Sequence, residues 1–227
     1  MFLNLFLTPF LATTFFIFAL YPLAQKIGLL DMPSHRKRHE RATPLIGGIA
    51  IYCSLWVTLF FYEGDLANQT AFIVAATLLV YVGVIDDYKE VNVKARLIFQ
   101  VIAALIMVQF ADIKITNLGN LLGFGNIYLD VYASTLFTVF AVVGGINAFN
   151  MIDGLDGLGG SISLVSLASI AILSGTAQDW MLFDYCIIFI ASLAAFLLFN
   201  MRIFGRPHAK IFLGDAGSTL MGFTVCW

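Results

Sequence analysis

The chain has 227 residues, of which 60% are hydrophobic and only 11% are charged. Soluble domains are about 25% charged, so this chain cannot cover a water-facing surface and its surroundings must be largely lipid. The net charge of −2 by itself indicates no partner. Three cysteines, Cys53, Cys186 and Cys226, lie in apolar runs without a CxxC pair, so we interpret them as small buried residues rather than a disulfide or metal framework.

Apolar runs divide the chain into membrane spans, each of which needs about 20 mostly apolar residues. The composition predicts an all-α polytopic membrane protein in which residues 1–227 form a single multi-span domain. We expect about eight spans. In chain order they cover residues 2–24, 45–62, 70–85, 95–111, 132–150, 161–175, 181–200 and 213–227.

The basic residues predict the orientation of these spans. Alternating spans place links 25–44, 86–94, 151–160 and 201–212 on one side. On or beside that side lie all but one of the 12 Lys and Arg residues, the exception being Lys114. Cytoplasmic loops carry an excess of Lys and Arg. The sequence therefore predicts a multi-pass protein of the cytoplasmic membrane with an external N-terminus.

The link at 112–131 differs from the other links. It contains two short alternating runs around a Gly-rich turn, a pattern typical of a β-hairpin. Because this link falls on the side that lacks basic residues, we expect a small external β-hairpin near 112–131.

Two carboxylates, Asp86 and Asp87, close the third predicted span. The helix dipole disfavours carboxylates at a C-terminus by up to about 1 kcal/mol each. A solvated helix end is one interpretation of the pair. The other is a functional site in which Mg²⁺, or a lysine such as Lys89 or Lys94, offsets the negative charge.

The segment 147–160 places two Asn, two Asp and four Gly between two apolar runs. A helix C-cap and a polar turn would explain one or two of the glycines. They would not explain Asn147 and Asn150 together with Asp153 and Asp156. Glycine allows the backbone to approach a ligand closely. The segment therefore predicts a loop that holds a polar ligand, a metal, or both.

Two further features have both a structural and a functional interpretation. Asp215 opens the last span, where Asp is a favoured N-cap but where the helix N-terminus also suits phosphate. The first link contains Arg36, Lys37 and His39. This link is either a topogenic basic loop that attracts anionic headgroups or a clamp for a phosphorylated substrate.

Five aspartates thus share one predicted face with the basic loops. Hard carboxylate ligands select Mg²⁺ or Mn²⁺. Acidic and basic groups at a membrane surface together suit a phosphorylated, partly lipidic substrate. The aspartates are Asp86, Asp87, Asp153, Asp156 and Asp215.

In this order the motifs resemble those of the polyprenyl-phosphate N-acetylhexosamine-1-phosphate transferases, over nearly the whole chain. The central motifs are Asp86-Asp87, Asn147-x-x-Asn150-x-x-Asp153-Gly-Leu-Asp156-Gly and Phe212-x-Gly-Asp215-x-Gly-Ser218. The supporting motifs are Pro33-x-x-Arg-Lys-x-His39, Pro44-x-x-Gly-Gly48 and Lys94-x-Arg-x-x-x-Gln100. The runs beginning at Arg36 and Asn147 are more similar to the GlcNAc-1-phosphate branch of the family than to the muramoyl-pentapeptide branch.

The resemblance implies that a lipid phosphate attacks the β-phosphorus of UDP-GlcNAc on the cytoplasmic face. UMP leaves, and GlcNAc-1-phosphate on undecaprenyl phosphate starts a lipid-linked glycan such as O-antigen. The implied metal ligand is Asp215, holding Mg²⁺ or Mn²⁺. The implied catalytic residues are Asp86, Asp87, Asp153 and Asp156, with Asp86 binding or deprotonating the lipid phosphate. The implied nucleotide- or substrate-binding residues are Asn147, Asn150, Gly154, Leu155, Phe212, Lys94, Arg36, Lys37 and His39, with Phe212 stacking on uracil.

The implied partners are a UDP-sugar, undecaprenyl phosphate and the lipid bilayer, without nucleic acid; a homodimer is also compatible with the family. UDP-GalNAc or UDP-MurNAc-pentapeptide is the alternative donor. A secondary transporter is the rival from another class, although transporters place ionisable groups near the bilayer midplane rather than at span ends. The family carries further spans and a His-rich motif beyond the region matched here. We therefore expect an N-terminal portion of the family fold with little activity alone.

Overall fold

A computed structural model describes residues 2–32, 42–61, 69–203 and 205–227. Short connections join most of its helices, so consecutive helices run in opposite directions through one bundle. The helices are α1 (Phe2–Ile27), α2 (Gly47–Phe61), α3 (Gln69–Tyr88), α4 (Val93–Phe110), α5 (Val131–Ile152), α6 (Leu158–Thr176), α7 (Trp180–Asn200) and α8 (Gly214–Cys226). These helices confirm the predicted all-α class.

Each predicted span coincides with a helix, with ends that differ by a few residues. In the described part of the chain, six helices are long and apolar enough to cross a membrane, namely α1, α3, α4, α5, α6 and α7. Helix α2 has 15 residues and α8 has 13. Thirteen residues rise about 20 Å, less than the roughly 30 Å hydrocarbon core.

Large apolar side chains cover the outside of the bundle. Phe15, Phe60, Phe110 and Phe140 are all exposed on different helices. So many exposed aromatic residues would be unfavourable in water, whereas lipid is a suitable solvent for them. The chain is therefore a multi-pass membrane protein.

Helix α8 lies at the centre of the bundle because glycines let three other helices approach it closely. Gly48 of α2 lies against Gly217, and Gly83 of α3 lies against Ala216. A Cβ on either glycine would overlap the backbone of α8. On the opposite side of α8, Gly222 lies against the backbone of Ile146 in α5. Helix α8 is thereby held against the start of α2, the last turns of α3 and the second half of α5.

A two-stranded sheet and the segment that leads into α8 form further hydrogen bonds at the end of the bundle where α8 begins. Strands β1 (Leu30–Asp31) and β2 (Thr43–Pro44) pair antiparallel. The chain before α8 then runs beside β2, with Phe212 N–H donating to Pro44 at 2.9 Å. The first N–H groups of α2, on Gly47 and Gly48, donate at 2.9 Å to the carbonyls of Phe212 and Leu213. These bonds satisfy donors that a helix N-terminus otherwise leaves free.

At the opposite end, the predicted hairpin near 112–131 is present as a paired turn. Leu118 donates to Ile127 at 2.9 Å, and Leu129 donates to Thr116 at 2.9 Å. Asn117 and Tyr128 form an antiparallel bridge. The pairing is too short to form a strand. In the turn itself, Asn side chains accept hydrogen bonds from the N–H groups of glycines, in place of backbone pairing. The two-stranded sheet in the described chain lies instead at the other end, where none was predicted.

Candidate active site

A small cleft, partly open to its surroundings, lies where α3, α4, α5 and α8 meet. Apolar residues form part of its wall, and charged and amide side chains form the rest. Its charged and amide residues are Asp86, Arg96, Gln100, Asn147, Asn150 and Asp215. The structure thus brings together residues from four of the predicted motifs.

One wall of the cleft is an ion pair between Asp86 and Arg96. Arg96 Nη1 lies 2.7 Å from Asp86 Oδ2, while Asp86 Oδ1 accepts a 2.7 Å hydrogen bond from the N–H of Val91. The Asp86 side chain is only 6% exposed, and that of Arg96 is 34% exposed. The cation beside the α3 carboxylates is therefore an arginine, and the guanidinium is the member of the pair open to a ligand.

Asp87, the neighbouring carboxylate, caps the start of α8. Its Oδ1 accepts from the N–H of Asp215 at 2.8 Å, and its Oδ2 accepts from Ala216 at 3.2 Å. Gly214, with a φ of +75°, packs directly against this carboxylate. The N-cap interpretation of Asp215 is wrong, because α8 begins at Gly214 and its N-terminal N–H groups are satisfied by a residue of α3.

Asp215 is free to face the cleft because its own helix end is capped by Asp87. Asn150 Nδ2 donates to Asp215 Oδ1 at 2.7 Å and to Ser218 Oγ at 2.9 Å. Arg96 Nη1 lies 3.9 Å from Asp215 Oδ2, and the Asp215 side chain is 36% exposed. One carboxylate oxygen is thus oriented by an amide, and the other lies near a cation.

Deeper in the cleft, Asn147 donates to Gln100 Oε1 at 2.6 Å and to the carbonyl of Val143 at 2.7 Å. Gln100 is only 4% exposed. A buried amide that is fully bonded keeps a fixed orientation. The pair therefore ties α4 to α5 beside the charged part of the cleft.

The loop after α5 carries Asp153 and Asp156, as predicted. Asp153 is the C-cap residue of α5 and lies against Gly159. Asp156 Oδ2 accepts a 2.6 Å hydrogen bond from Arg202 Nε. Gly157, with a φ of +80°, lets the chain turn directly into α6.

Asn200, at the end of α7, holds this loop to the segment that leads into α8. Its Oδ1 accepts from Gly157 N–H at 2.7 Å, and its Nδ2 donates to the carbonyl of Ile211 at 2.9 Å. The residue is 4% exposed. Asn200 therefore sets the position of the Asp153–Gly157 loop relative to the start of α8.

The Asp153–Gly157 loop lies in a negatively charged environment, because the carboxylates of Asp156 and Asp215 are both close to Asp153. Burial, followed by the carboxylates of Asp215 and Asp156, raises the pKa of Asp153 to about 7. Each of these causes disfavours the ionised form. A cation bound close to Asp153 would lower its pKa again, because it would stabilise the ionised carboxylate.

The donor set fits a magnesium ion that is shared with a substrate. Among the described residues, no group of three or more His, Cys, Asp or Glu side chains is arranged to hold a metal. Mg²⁺ is usually bound through one or two carboxylates, with water and substrate phosphates completing its shell. Asp215, partly exposed and oriented by Asn150, suits the role of such a carboxylate.

The remaining predicted residues lie outside the cleft or outside the described chain. Arg36, Lys37 and His39 fall in 33–41, beyond the residues that the structure describes. Lys94 is exposed and is not among the described residues that line the cleft. Gly154 and Leu155 are exposed on the loop, while Phe212 is half-buried beside β2.

The individual roles of four residues were not predicted from the sequence, namely those of Arg96, Gln100, Asn200 and Arg202. Arg96 and Gln100 stood in a recognised motif, and their spacing of four residues places them on one helix face. Asn200 had a weaker signal: an amide at the end of a 21-residue apolar helix. Nothing in the sequence paired Arg202 with Asp156, 46 residues away.

The fold and the cleft together define a multi-pass membrane protein with an acidic, amide-lined site at one end of its helices. The sequence profile of glycosyl transferase family 4 matches residues 69–227. The chain belongs to this family.

Curated relatives extend the similarity to almost the whole chain. Undecaprenyl-phosphate alpha-N-acetylglucosaminyl 1-phosphate transferase of Escherichia coli (strain K12) is 38% identical over 220 residues, which cover 96% of this chain and 59% of the relative. The protein of the same name from Haemophilus influenzae is 36% identical over 225 residues, covering 99% of this chain and 63% of the relative. The chain thus spans about 59% to 63% of the length of these relatives.

Proposed function

We infer that the chain forms the N-acetylglucosamine-1-phosphate transfer site of an undecaprenyl-phosphate transferase. The observation that carries this proposal is the convergence of Asp86, Arg96, Asn150 and Asp215 on one cleft at the ends of membrane helices. A soluble nucleotide sugar and a membrane lipid can meet only near such a surface. The names of the relatives support this choice of substrates.

In the proposed reaction, an oxygen of undecaprenyl phosphate forms a bond to the β-phosphorus of UDP-GlcNAc. The bond from that phosphorus to the oxygen bridging to UMP breaks, and UMP leaves with the electron pair. The product is a lipid-linked diphosphate sugar that can start a surface glycan such as O-antigen. Mg²⁺, when bound, would lower the charge on the diphosphate oxygens and stabilise the leaving group.

The cleft residues supply positioning and charge for this reaction. Arg96, held by Asp86 and partly exposed, can bind a phosphate through its guanidinium. Asp86 fixes the direction of that guanidinium, and its binding or deprotonation of the lipid phosphate stays a prediction. Asn150 orients Asp215, which would hold the metal together with the diphosphate. We propose that the 153–157 loop, in which Gly154 and Leu155 are exposed, contacts the nucleoside.

We also propose that the cleft faces the cytoplasm of the bacterial inner membrane. The links beside the cleft carry nearly all Lys and Arg of the chain, the distribution expected of cytoplasmic loops. UDP-sugars are cytoplasmic donors, so this orientation places the site on the side of its soluble substrate.

The test measures Mg²⁺-dependent UMP release from UDP-GlcNAc with undecaprenyl phosphate. It uses both this chain and a fusion that adds the residues of the E. coli relative that the match does not cover, because the chain spans 59% of that protein. UDP-GalNAc and UDP-MurNAc-pentapeptide serve as competing donors. UMP release that requires UDP-GlcNAc, Mg²⁺ and Asp215 supports the proposal.

A membrane-transport function would give a different result. Uptake of substrate into proteoliposomes without UMP release would overturn the transferase proposal. So would a fusion that binds UDP-GlcNAc and yet releases no UMP with any of the donors.

A further inference from the structure

The turn at the end opposite the cleft presents large apolar side chains to its surroundings. Phe124 is 96% exposed and Leu121 is 75% exposed, with Leu122 and Tyr128 also exposed. We call residues 121–124 the hairpin tip. A tip of this composition has no local core into which to pack, so it requires an apolar environment from elsewhere.

The hairpin carries no charge near its tip. Residues 115–129 include no Asp, Glu, Lys, Arg or His. The charged residues that flank this segment in sequence are Asp112 and Lys114, which form an ion pair, and Asp130, at the base of the hairpin. An uncharged segment avoids the large cost of moving an ion into lipid.

The turn also satisfies much of its own backbone. Asn117 Oδ1 accepts from Gly119 N–H at 2.8 Å, and Asn120 Oδ1 accepts from Gly125 N–H at 2.8 Å. Gly123 N–H donates to the carbonyl of Asn120. Because unpaired backbone groups are costly outside water, these bonds lower the cost of placing the tip among lipids.

Helix α5 fixes the hairpin rather than leaving it to move freely. Ser134 Oγ donates to the carbonyl of Ile115 at 2.7 Å, and Ile115 N–H donates to Thr138 Oγ1 at 2.9 Å. Both hydroxyl residues are buried. Thr138 lies seven residues beyond the start of α5, or about 10 Å along its axis. The hairpin base therefore lies beside the helices, within the depth that they span.

The apolar surface of the tip continues the outer surface of the bundle at this end. Phe110 at the end of α4 and Tyr132 in the first turn of α5 are exposed, and Leu136 and Phe140 extend the exposed face along α5. Lipid is the solvent of that face. The same lipid leaflet is the nearest apolar environment for the tip.

We propose that the hairpin tip inserts into the interfacial region of the leaflet opposite the cleft. Its occupant is the bilayer itself, bound through apolar contact, and zwitterionic lipids suffice because the tip offers no charge to headgroups. The hairpin connects α4 to α5, so its insertion would fix the depth of both helices in the membrane. Gln100 and Asn147, which lie on these helices, would be held at that depth.

The test places an environment-sensitive fluorophore at Leu121→Cys in a chain whose native cysteines are changed to Ala. The protein is reconstituted in phosphatidylcholine nanodiscs that hold a single copy. A matched label at Ala177→Cys, in the exposed α6–α7 turn at the same end, reports a position without an apolar tip. Iodide quenching should be several-fold weaker at position 121, and lipids carrying a shallow nitroxide should quench that label strongly.

A second variant separates insertion from simple shielding. Leu122→Asp together with Phe124→Asp should restore iodide quenching at position 121 to the level at position 177, while the helical circular dichroism stays unchanged. Equal iodide access at both positions without the Asp changes would overturn the proposal. Protection that appears only in nanodiscs with two copies would also overturn it, since a second chain would then cover the tip.

Discussion

The two ends of the helix bundle are built by opposite kinds of contact. At the cleft, hydrogen bonds join residues far apart in sequence: Asp87 and Asp215 are separated by 128 residues, and Asn150 and Asp215 by 65. At the hairpin, Asn117 and Asn120 bond to residues two and five positions away. The cleft is a product of tertiary assembly, whereas the hairpin turn is mostly local.

This difference affects how each end should respond to mutation. A local turn can lose one hydrogen bond while water or lipid headgroups bond the freed backbone group. A buried bond between distant helices leaves an unpaired partner when one side is removed, and that partner costs about 1–3 kcal/mol. We therefore expect equal chemical changes to have unequal effects at the two ends.

Asp215→Asn should have the largest effect of the changes considered. The fusion protein should lose about 100-fold or more in UMP release, because the substitution removes the cleft carboxylate best placed to share a metal with the diphosphate. The matched change at the other end is Asp112→Asn, which removes an exposed ion pair with Lys114. Parallel assays should find its turnover unchanged, and similar losses for the two variants would contradict the assignment.

Asn200→Ala should destabilise the chain by about 2–4 kcal/mol, since it removes two buried hydrogen bonds and leaves Gly157 N–H and the Ile211 carbonyl unpaired. Denaturant unfolding in mixed micelles, followed by circular dichroism, measures this loss. The control is Asn120→Ala in the hairpin, which should cost less than about 1 kcal/mol. If the two variants unfold at the same denaturant concentration, Asn200 does not hold the loop to the start of α8.

Asp87→Asn should cost about 1–3 kcal/mol, because one of the two oxygens that accept N–H groups of α8 becomes an NH₂ donor. At the other end, Asp130 caps α5 by accepting from Tyr132 and Ala133. Asp130→Asn should cost only a few tenths of a kcal/mol, since Asn is an equally good N-cap within one segment. The same unfolding experiment compares the pair; an Asp130 variant as unstable as the Asp87 variant would remove the distinction between the two ends.

Asp153→Asn should change the pH dependence of stability. The pKa of Asp153 is raised from 3.8 to about 7 in the folded chain, so the folded state holds its proton more tightly than the unfolded state does. Its contribution to stability is therefore present below pH 4 and is lost as the pH rises toward 7. Relative to the Asn variant, the unaltered chain should lose a few kcal/mol across this window, since a pKa difference of one unit corresponds to about 1.4 kcal/mol. Unfolding in EDTA at several pH values measures the difference, and parallel profiles would exclude the predicted linkage.

The sequence was most informative where one property repeats along a segment. Runs such as 181–200 identified a helix because about 20 apolar residues can satisfy their backbone in lipid only as a helix. The polar clusters at 86–87, 147–156 and 215 were correctly expected to lie at one end, since alternating spans leave little freedom in direction. The hairpin was located correctly, although its pairing proved shorter than a strand.

The separate roles of the individual polar residues could not be predicted from the sequence in the same way. Asp86 and Asp87 are adjacent and chemically identical, yet one pairs with Arg96 in the cleft and the other caps α8. Their roles depend on which helix lies beside each carboxylate, and a local pattern holds no information about that neighbour. Asn200 and Arg202 were overlooked for the same reason.

Composition and motif order were enough to predict a membrane helix bundle, the end of each helix that carries polar groups, and the family to which the chain belongs. These properties follow from composition, span length and the short links between spans. The central position of α8 and its capping by Asp87, which leaves the Asp215 side chain facing the cleft, depend on how the helices pack. Glycine contacts such as Gly48–Gly217 set that arrangement, and they act between segments that only packing brings together.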